Sequence, residues 1–326
     1  MGGEFNARVK PGATPRIVLS YPDVYEIGVS NPALQILYAR LNDTTPAWAE
    51  RAYCPWPDLA DRMRDSVVRL WTLESFAPAR ACDLWGFTLP HELCYTNVLE
   101  MLDLAGVPLR AVGRAGEDPV VLGGGPAVAN PWPLAPFFDA FFVGEAEEHL
   151  DAVVDALGRD GRVARLRALA AVPGVWVPGR SDRPAVRQVF TGFSTSDPVL
   201  QPIVPVLEAV HDRAVVEVMR GCTAGCRFCQ AGMWYRPVRE RPVERVVAAA
   251  GRLLHETGCD EVSLLSLSSC DYGGVAEAVA RIRELRPGLR VSLPSLRIDS
   301  AAEKLGLFAA GQRGSLTLAP EAGTQD

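Results

Sequence analysis

Three cysteines, Cys222, Cys226 and Cys229, stand in the run Arg220-Gly221-Cys222-Thr223-Ala224-Gly225-Cys226-Arg227-Phe228-Cys229, a C-x3-C-x2-C spacing with the aromatic Phe228 just before the last sulfur. No other feature constrains the fold as much, because three thiols this close in sequence have to ride on one short loop. Iron–sulfur clusters are held by cysteine thiolates, usually four of them. Three at this spacing hold three irons of a cubane 4Fe-4S cluster and leave the fourth iron to a ligand from elsewhere. The competing reading is zinc, which takes four N/S ligands in a closed tetrahedral site. His211, Cys259 or Cys270 would have to complete it, and none of them belongs to a second C-x2-C or H-x3-H pair. A zinc-binding, non-enzymatic module therefore stands as an alternative.

The pattern around the loop is α/β. Residues 214–219 form an apolar strand that feeds directly into the cysteines, and residues 242–257 carry apolar side chains at helical spacing. Strands at 261–267, 289–293 and 315–318 alternate with helices at 275–285 and 301–310, and the chain stops at Asp326. A β/α barrel buries its parallel strands by closing, so four strands predict an incomplete one. Residues 16–157 alternate in the same way. Strands are expected at 16–20, 49–54, 67–73, 83–89, 119–122 and 140–143, and helices at 58–64, 92–105 and after the cap-and-proline pair Asn31-Pro32. This alternation predicts a doubly wound, Rossmann-like parallel sheet. Between the two series, residues 158–213 are punctuated by prolines and show little helical period. The predicted organisation is a Rossmann-like domain at 1–157, a linker or crossover at 158–213 and a partial barrel at 214–326.

The chain of 326 residues is long enough for two ordinary domains, and its 48% hydrophobic and 22% charged content supports a real core. No apolar run reaches the ~18 residues of a membrane span. Residues 1–15 lack the apolar segment of a secretory signal, and Asn6 stands where myristoylation needs Ser or Thr. A net charge of −6 argues against a broad nucleic-acid-binding face. Cys54, Cys82, Cys94, Cys259 and Cys270 are scattered among apolar neighbours, which reads as reduced, packed thiols in a cytoplasmic setting.

Functional loops of β/α barrels lie at the C-terminal ends of the strands, where the cysteine run also falls. S-adenosylmethionine (SAM) can chelate an open iron through its amino and carboxylate groups. An electron from the cluster then cleaves its carbon–sulfur bond to give methionine and a 5′-deoxyadenosyl radical. Phe228 and the later strand ends offer groups to hold SAM: Ser268 and Ser269 for its ammonium, Arg297 (beside Ser295 and Asp299) for its carboxylate, and Glu321 for a ribose hydroxyl. Arg220, Arg227, Arg236, Arg239 and Arg241 crowd the cysteine loop and would favour an anionic reduced cluster or an acidic substrate.

After the first strand of the N-terminal series comes Asp23-Val24-Tyr25-Glu26-Ile27-Gly28. A cobalamin-binding Rossmann-like domain carries Asp-x-His-x-x-Gly here, with the histidine on cobalt. This chain keeps Asp23 and Gly28 and has Tyr25 in the ligand slot, so a corrinoid would bind without histidine ligation. Gly123-Gly124-Gly125-Pro126 and Gly144-Glu145 follow two later strands and would allow close backbone approach to a large ligand.

Taken together, the runs at 21–28, 95–99, 221–233, 236–241, 292–297 and 319–324 resemble the radical SAM proteins with an N-terminal B12-binding-like domain. Within them, the likeness is to a bacterial subfamily of unassigned function. The resemblance spans nearly the whole chain. It implies a 4Fe-4S cluster on Cys222, Cys226 and Cys229, SAM as cofactor, a partial TIM-type barrel, and a flavodoxin- or ferredoxin-like electron donor. It leaves the substrate unnamed, and a bound corrinoid would add methyl transfer. Relatives usually continue past the point corresponding to Asp326, and residues 1–6 resemble an internal stretch of longer ones, so a shortened chain is expected. A methylthiotransferase-like modifier of RNA or protein is the other enzymatic reading. It would need a second cluster, for which Cys54, Cys82 and Cys94 are the candidates at that end of the chain.

Overall fold

Strands rich in β-branched and aromatic residues order the N-terminal half. In a computed structural model describing residues 3–181, 184–297 and 318–319, the chain divides into two units, residues 1–190 with 203–211 and residues 191–202 with 212–326. The first unit holds a six-stranded sheet of β1 (Arg16–Tyr21), β2 (Trp48–Tyr53), β3 (Leu84–Thr88), β4 (Val120–Gly124), β5 (Ala140–Phe142) and β6 (Val175–Trp176). The strand order is β2-β1-β3-β4-β5-β6, parallel except for β6, which runs antiparallel to β5. The first five strands thus follow the flavodoxin-like 2-1-3-4-5 order, whose ligand crevice lies where the order reverses, between β1 and β3. The Asp23–Gly28 frame leaves β1 at that point.

Local chemistry sets the crossovers. Helix α1 (Pro32–Thr44) starts where Asn31 Oδ1 accepts the Leu34 N–H at 3.0 Å, with proline supplying the fixed φ of the first turn. Helix α2 (Pro57–Asp65) follows β2, and α3 (Tyr95–Ala105) ends on Gly106 in the left-handed region (φ 73°), which residues with a Cβ resist. Ile17, Leu19, Ala49, Leu84, Val120 and Ala140 make up much of the core on one side of the sheet.

Two expectations need correcting. Residues 67–73 are not a strand. Val67 turns left-handed (φ 55°) and, with Val68, bonds back to the end of α2 through Arg64 O and Met63 O. The apolar run looked like a strand, but its first two donors close a helix and the N–H groups of Leu70, Thr72 and Leu73 go to three separate partners, Leu104 O, Ala77 O and Arg51 O. The proline-punctuated stretch is also more ordered than a linker. Helices α4 (Leu150–Leu157) and α5 (Arg162–Ala170) precede β6, so residues 162–176 build the first unit, with Leu166, Leu169 and Val175 in its core.

In the second unit β7 (Ala214–Glu217), β8 (Glu261–Leu265) and β9 (Arg290–Ser292) form a parallel sheet with β8 in the centre. Helix α7 (Val243–Thr257) turns Val246, Ala249, Ala250 and Leu253 inward and ends on Gly258; α8 (Val275–Glu284) adds Val275, Ala278, Val279 and Ile282. These pack on Ala214, Val216, Val262, Leu264 and Val291, the residues of one sheet face. Leu318–Ala319 pairs in parallel with Leu296–Arg297. The expected helix at 301–310, Asp299 and Glu321 lie outside the described residues. No helix among the described residues is long and apolar enough to cross a membrane.

Candidate cluster and cofactor site

Beyond β7 the chain breaks at Val218 and forms a two-residue strand, Met219–Arg220, that pairs antiparallel with Arg239–Glu240. This ladder closes the base of the loop that carries the cysteines. Gly221, the next residue, has φ 87°, and a Cβ there would stand 2.8 Å from Tyr235 O and 2.9 Å from Pro237 O. Glycine is therefore required on both conformational and steric grounds. Helix α6 (Gln230–Trp234) completes the loop, with Cys229 as its N-cap.

All three thiols are half-buried and free of disulfides. Cys222 Sγ accepts the Ala224 N–H at 3.4 Å and Cys229 Sγ accepts the Gly232 N–H at 3.3 Å, while Cys229 N–H donates to Cys226 O at 3.1 Å. Hydrogen bonds to ligand sulfurs are one of the means by which proteins tune iron–sulfur clusters. The donor set therefore fits a cluster held by three cysteines, although no three His, Cys, Asp or Glu side chains among the described residues stand converged as a ready metal site. Phe228 is 73% exposed beside the last sulfur.

The arginines divide into two kinds. Arg241 is 3% exposed, with its guanidinium 4.4 Å from the Phe193 ring centroid. It donates to Glu217 O and Ser196 O. Burial lowers its pKa to about 10, with Glu217 opposing. Arg220 lies over the same ring at 5.0 Å and is paired with Glu217 at 2.9 Å. These two arginines brace the ladder through Phe193. Arg239 bonds Pro237 O and Tyr235 O within the loop, and Arg227 is exposed.

At the next strand ends, Ser269 is spent internally: its hydroxyl donates to Leu264 O at 3.0 Å and its N–H to Ser295 O at 2.8 Å. Ser268 is 1% exposed, and its Oγ has no partner. Ser292 Oγ, at the end of β9, is likewise buried and unpartnered. Sequence reasoning passed over Ser292. A signal was there, a lone hydroxyl in the apolar run Val291-Ser292-Leu293, but a polar strand residue reads equally well as surface. Arg297 Nη1 bonds Asp271 Oδ2 at 3.3 Å.

In the first unit, Asp23 Oδ1 accepts the N–H of Val24 at 2.8 Å and Tyr25 donates its hydroxyl to Glu4 at 2.7 Å. A Cβ on Gly28 would lie 2.5 Å from the Tyr53 ring. Gly123 faces Phe141, Leu89 and Phe138, and Gly125 (φ 94°) faces the Leu89 backbone. Gly144 bridges to Gln188, whose backbone a Cβ would overlap, and Glu145 Oε2 accepts the Phe190 N–H at 2.9 Å. Only Gly124, of the glycines expected around a corrinoid, has open space where a side chain would be.

A flavodoxin-like sheet and a parallel β/α unit with three thiols after its first strand define a two-unit α/β protein with a cysteine-bearing loop at a strand end. Residues 33–178 match the family described as radical SAM proteins, N-terminal, and residues 216–325 match the radical SAM superfamily. The chain thus belongs to the radical SAM proteins, with both their N-terminal and their core domain. It is 25% identical over 313 residues to the uncharacterized protein MJ0966 of Methanocaldococcus jannaschii, covering 95% of this chain and 61% of that protein. The chain spans about six-tenths of the length of this curated relative. In fold it is similar to the cobalamin-dependent SAM radical enzyme OxsB, solved with aqua-cobalamin and SAM (TM-score 0.59, 16% identity, 88% of this chain and 39% of that one). It is also similar to the radical SAM methyltransferase TsrM from Kitasatospora setae, solved with cobalamin and a 4Fe-4S cluster (TM-score 0.57, 17% identity, 90% and 59%).

Proposed function

We propose that the chain is the cofactor-bearing part of a radical SAM enzyme, with a 4Fe-4S cluster on Cys222, Cys226 and Cys229. The observation that carries this is the ladder-closed loop presenting three disulfide-free, half-buried thiols, two of them taking backbone N–H donors. When bound and reduced, the cluster supplies the electron that splits SAM into methionine and a 5′-deoxyadenosyl radical. The protein's part is to hold the cofactor and keep water away. Ser268 offers its unpartnered hydroxyl to the methionine end of SAM, and Arg297, steadied by Asp271, offers its guanidinium to the carboxylate. Glu321 is assigned to the ribose from its place after the fourth predicted strand alone. Exposed Arg227 and Phe228 border the loop where an acidic flavodoxin- or ferredoxin-like donor would dock.

A corrinoid is a different matter. Tyr25, Gly28, Gly125, Gly144 and Glu145 are engaged with the chain itself, so the residues expected to hold it do not form a cradle. For the second-cluster reading, Cys54 and Cys94 are buried and Cys82 half-buried, on three separate segments of the chain, and Cys94 Sγ donates to His91 O at 2.8 Å.

Anaerobic reconstitution tests the proposal. About four irons per chain, together with 5′-deoxyadenosine formed from SAM and reductant, is the expected result. About eight irons would favour the methylthiotransferase reading, and zinc without iron the binding module.

A further inference from the structure

The Asp23–Gly28 frame lies at the reversal of strand order, where this fold places its ligand, yet its central side chain faces away from any such role. The Tyr25 hydroxyl donates to Glu4 Oε1 at 2.7 Å. Both Glu4 oxygens are also forked by Arg51, Nη1 at 2.9 Å and Nη2 at 2.5 Å. Arg51, on β2 and 1% exposed, turns its Nε to Glu74 Oε1 at 2.7 Å and its backbone N–H to Glu74 Oε2 at 2.7 Å. The Tyr25 ring meets Tyr53 edge-on at 5.3 Å, and Gly28 leaves room for that same Tyr53 ring. Glu4 belongs to the strand Glu4–Phe5, paired antiparallel with Val204–Pro205, and Val210 N–H reaches Glu26 O at 3.1 Å.

We infer that this frame is a latch: Tyr25 fastens the Glu4–Phe5 strand to the sheet through Glu4 and Arg51, and offers no atom to a metal. A corrinoid taken up by this unit carries no ligand from this loop. Tyrosine binds metals as phenolate, and a phenolate here would face the Glu4 carboxylate at hydrogen-bond distance. Burial raises the Tyr25 pKa far above its ordinary value, and the Glu4 bond adds to the effect. The inference concerns the first unit and does not depend on SAM cleavage in the second.

The test uses the full chain, its Tyr25→Phe, Tyr25→His and Glu4→Gln variants, and aquacobinamide, a corrinoid without a nitrogen base of its own, as probe. Each sample is desalted, then read by visible spectrum, by paramagnetic resonance after one-electron reduction, and by thermal midpoint without the probe. Tyr25→Phe and Glu4→Gln should lower the midpoint by about 3 °C or more and leave the corrinoid signal of the parent chain unchanged, whether that signal is a retained spectrum or none. Tyr25→His should show no nitrogen coupling on cobalt. A retained spectrum that shifts in Tyr25→Phe would overturn the inference, as would nitrogen coupling in Tyr25→His or midpoints unchanged in both conservative variants. SAM cleavage by the same samples reports separately on the cluster.

Discussion

A buried hydroxyl without a partner costs about 1–3 kcal/mol, and Ser268 and Ser292 both carry that cost. Ser268→Ala should therefore raise the thermal midpoint of the ligand-free protein by about 2–4 °C while weakening SAM binding about fivefold or more, as measured by equilibrium binding to reconstituted protein. A loss on both counts would remove Ser268 from the site. Charge in the first unit gives a second expectation. Burial pushes the Tyr53 phenol from its ordinary 10.0 up to about 12, partly offset by Arg51, and Tyr25 is also raised. Above pH 10 the unfolded chain releases these protons first and binds fewer than the folded one. Stability is then fully present below pH 10 and falls as pH rises towards 12. Melting curves across that range should show the fall, and Tyr25→Phe should make it shallower. At this scale the sequence spoke unevenly. The cysteines declared themselves by spacing, whereas the fate of Tyr25 depended on Glu4, Arg51 and Glu74, which only the strand register brings together.

Secondary-structure elements were legible where a period and a terminator agreed. Helix α7 shows both, an apolar face at helical spacing and a glycine at its end. Helix α5 hid because its run is arginine-rich and its N-cap, Gly161, bonds no side chain to the first turn. The glycines show a similar split between pattern and purpose. Gly144 stands at φ 108° with the Gln188 backbone where a Cβ would be, whereas Gly124 faces open space. Gly144→Ala should cost the first unit several kcal/mol, combining left-handed strain and overpacking, while Gly124→Ala should leave the urea midpoint nearly unchanged. Equal tolerance at both positions would show that the close approach to Gln188 is dispensable.

Across the whole molecule, two units with separate cores predict unfolding that is not two-state. Loading the cluster should raise the transition of the unit containing the cysteines and leave the other in place, because a ligand stabilises only the fold that binds it. Differential scanning calorimetry before and after iron removal by a chelator would check this, and a single shifted transition would contradict it. The arrangement of two α/β series was readable from the alternation of apolar runs. Their boundary was not, since the edge strand that completes the first sheet follows an arginine-rich stretch with little helical period.

The short ladder between Met219–Arg220 and Arg239–Glu240 has a consequence for assembly. Bringing the ends of a segment together costs entropy, and folding incurs that cost before any iron arrives. The sulfurs then start from a ring of fixed circumference, and lengthening the segment between the two strands should slow metal uptake more than it weakens the finished centre.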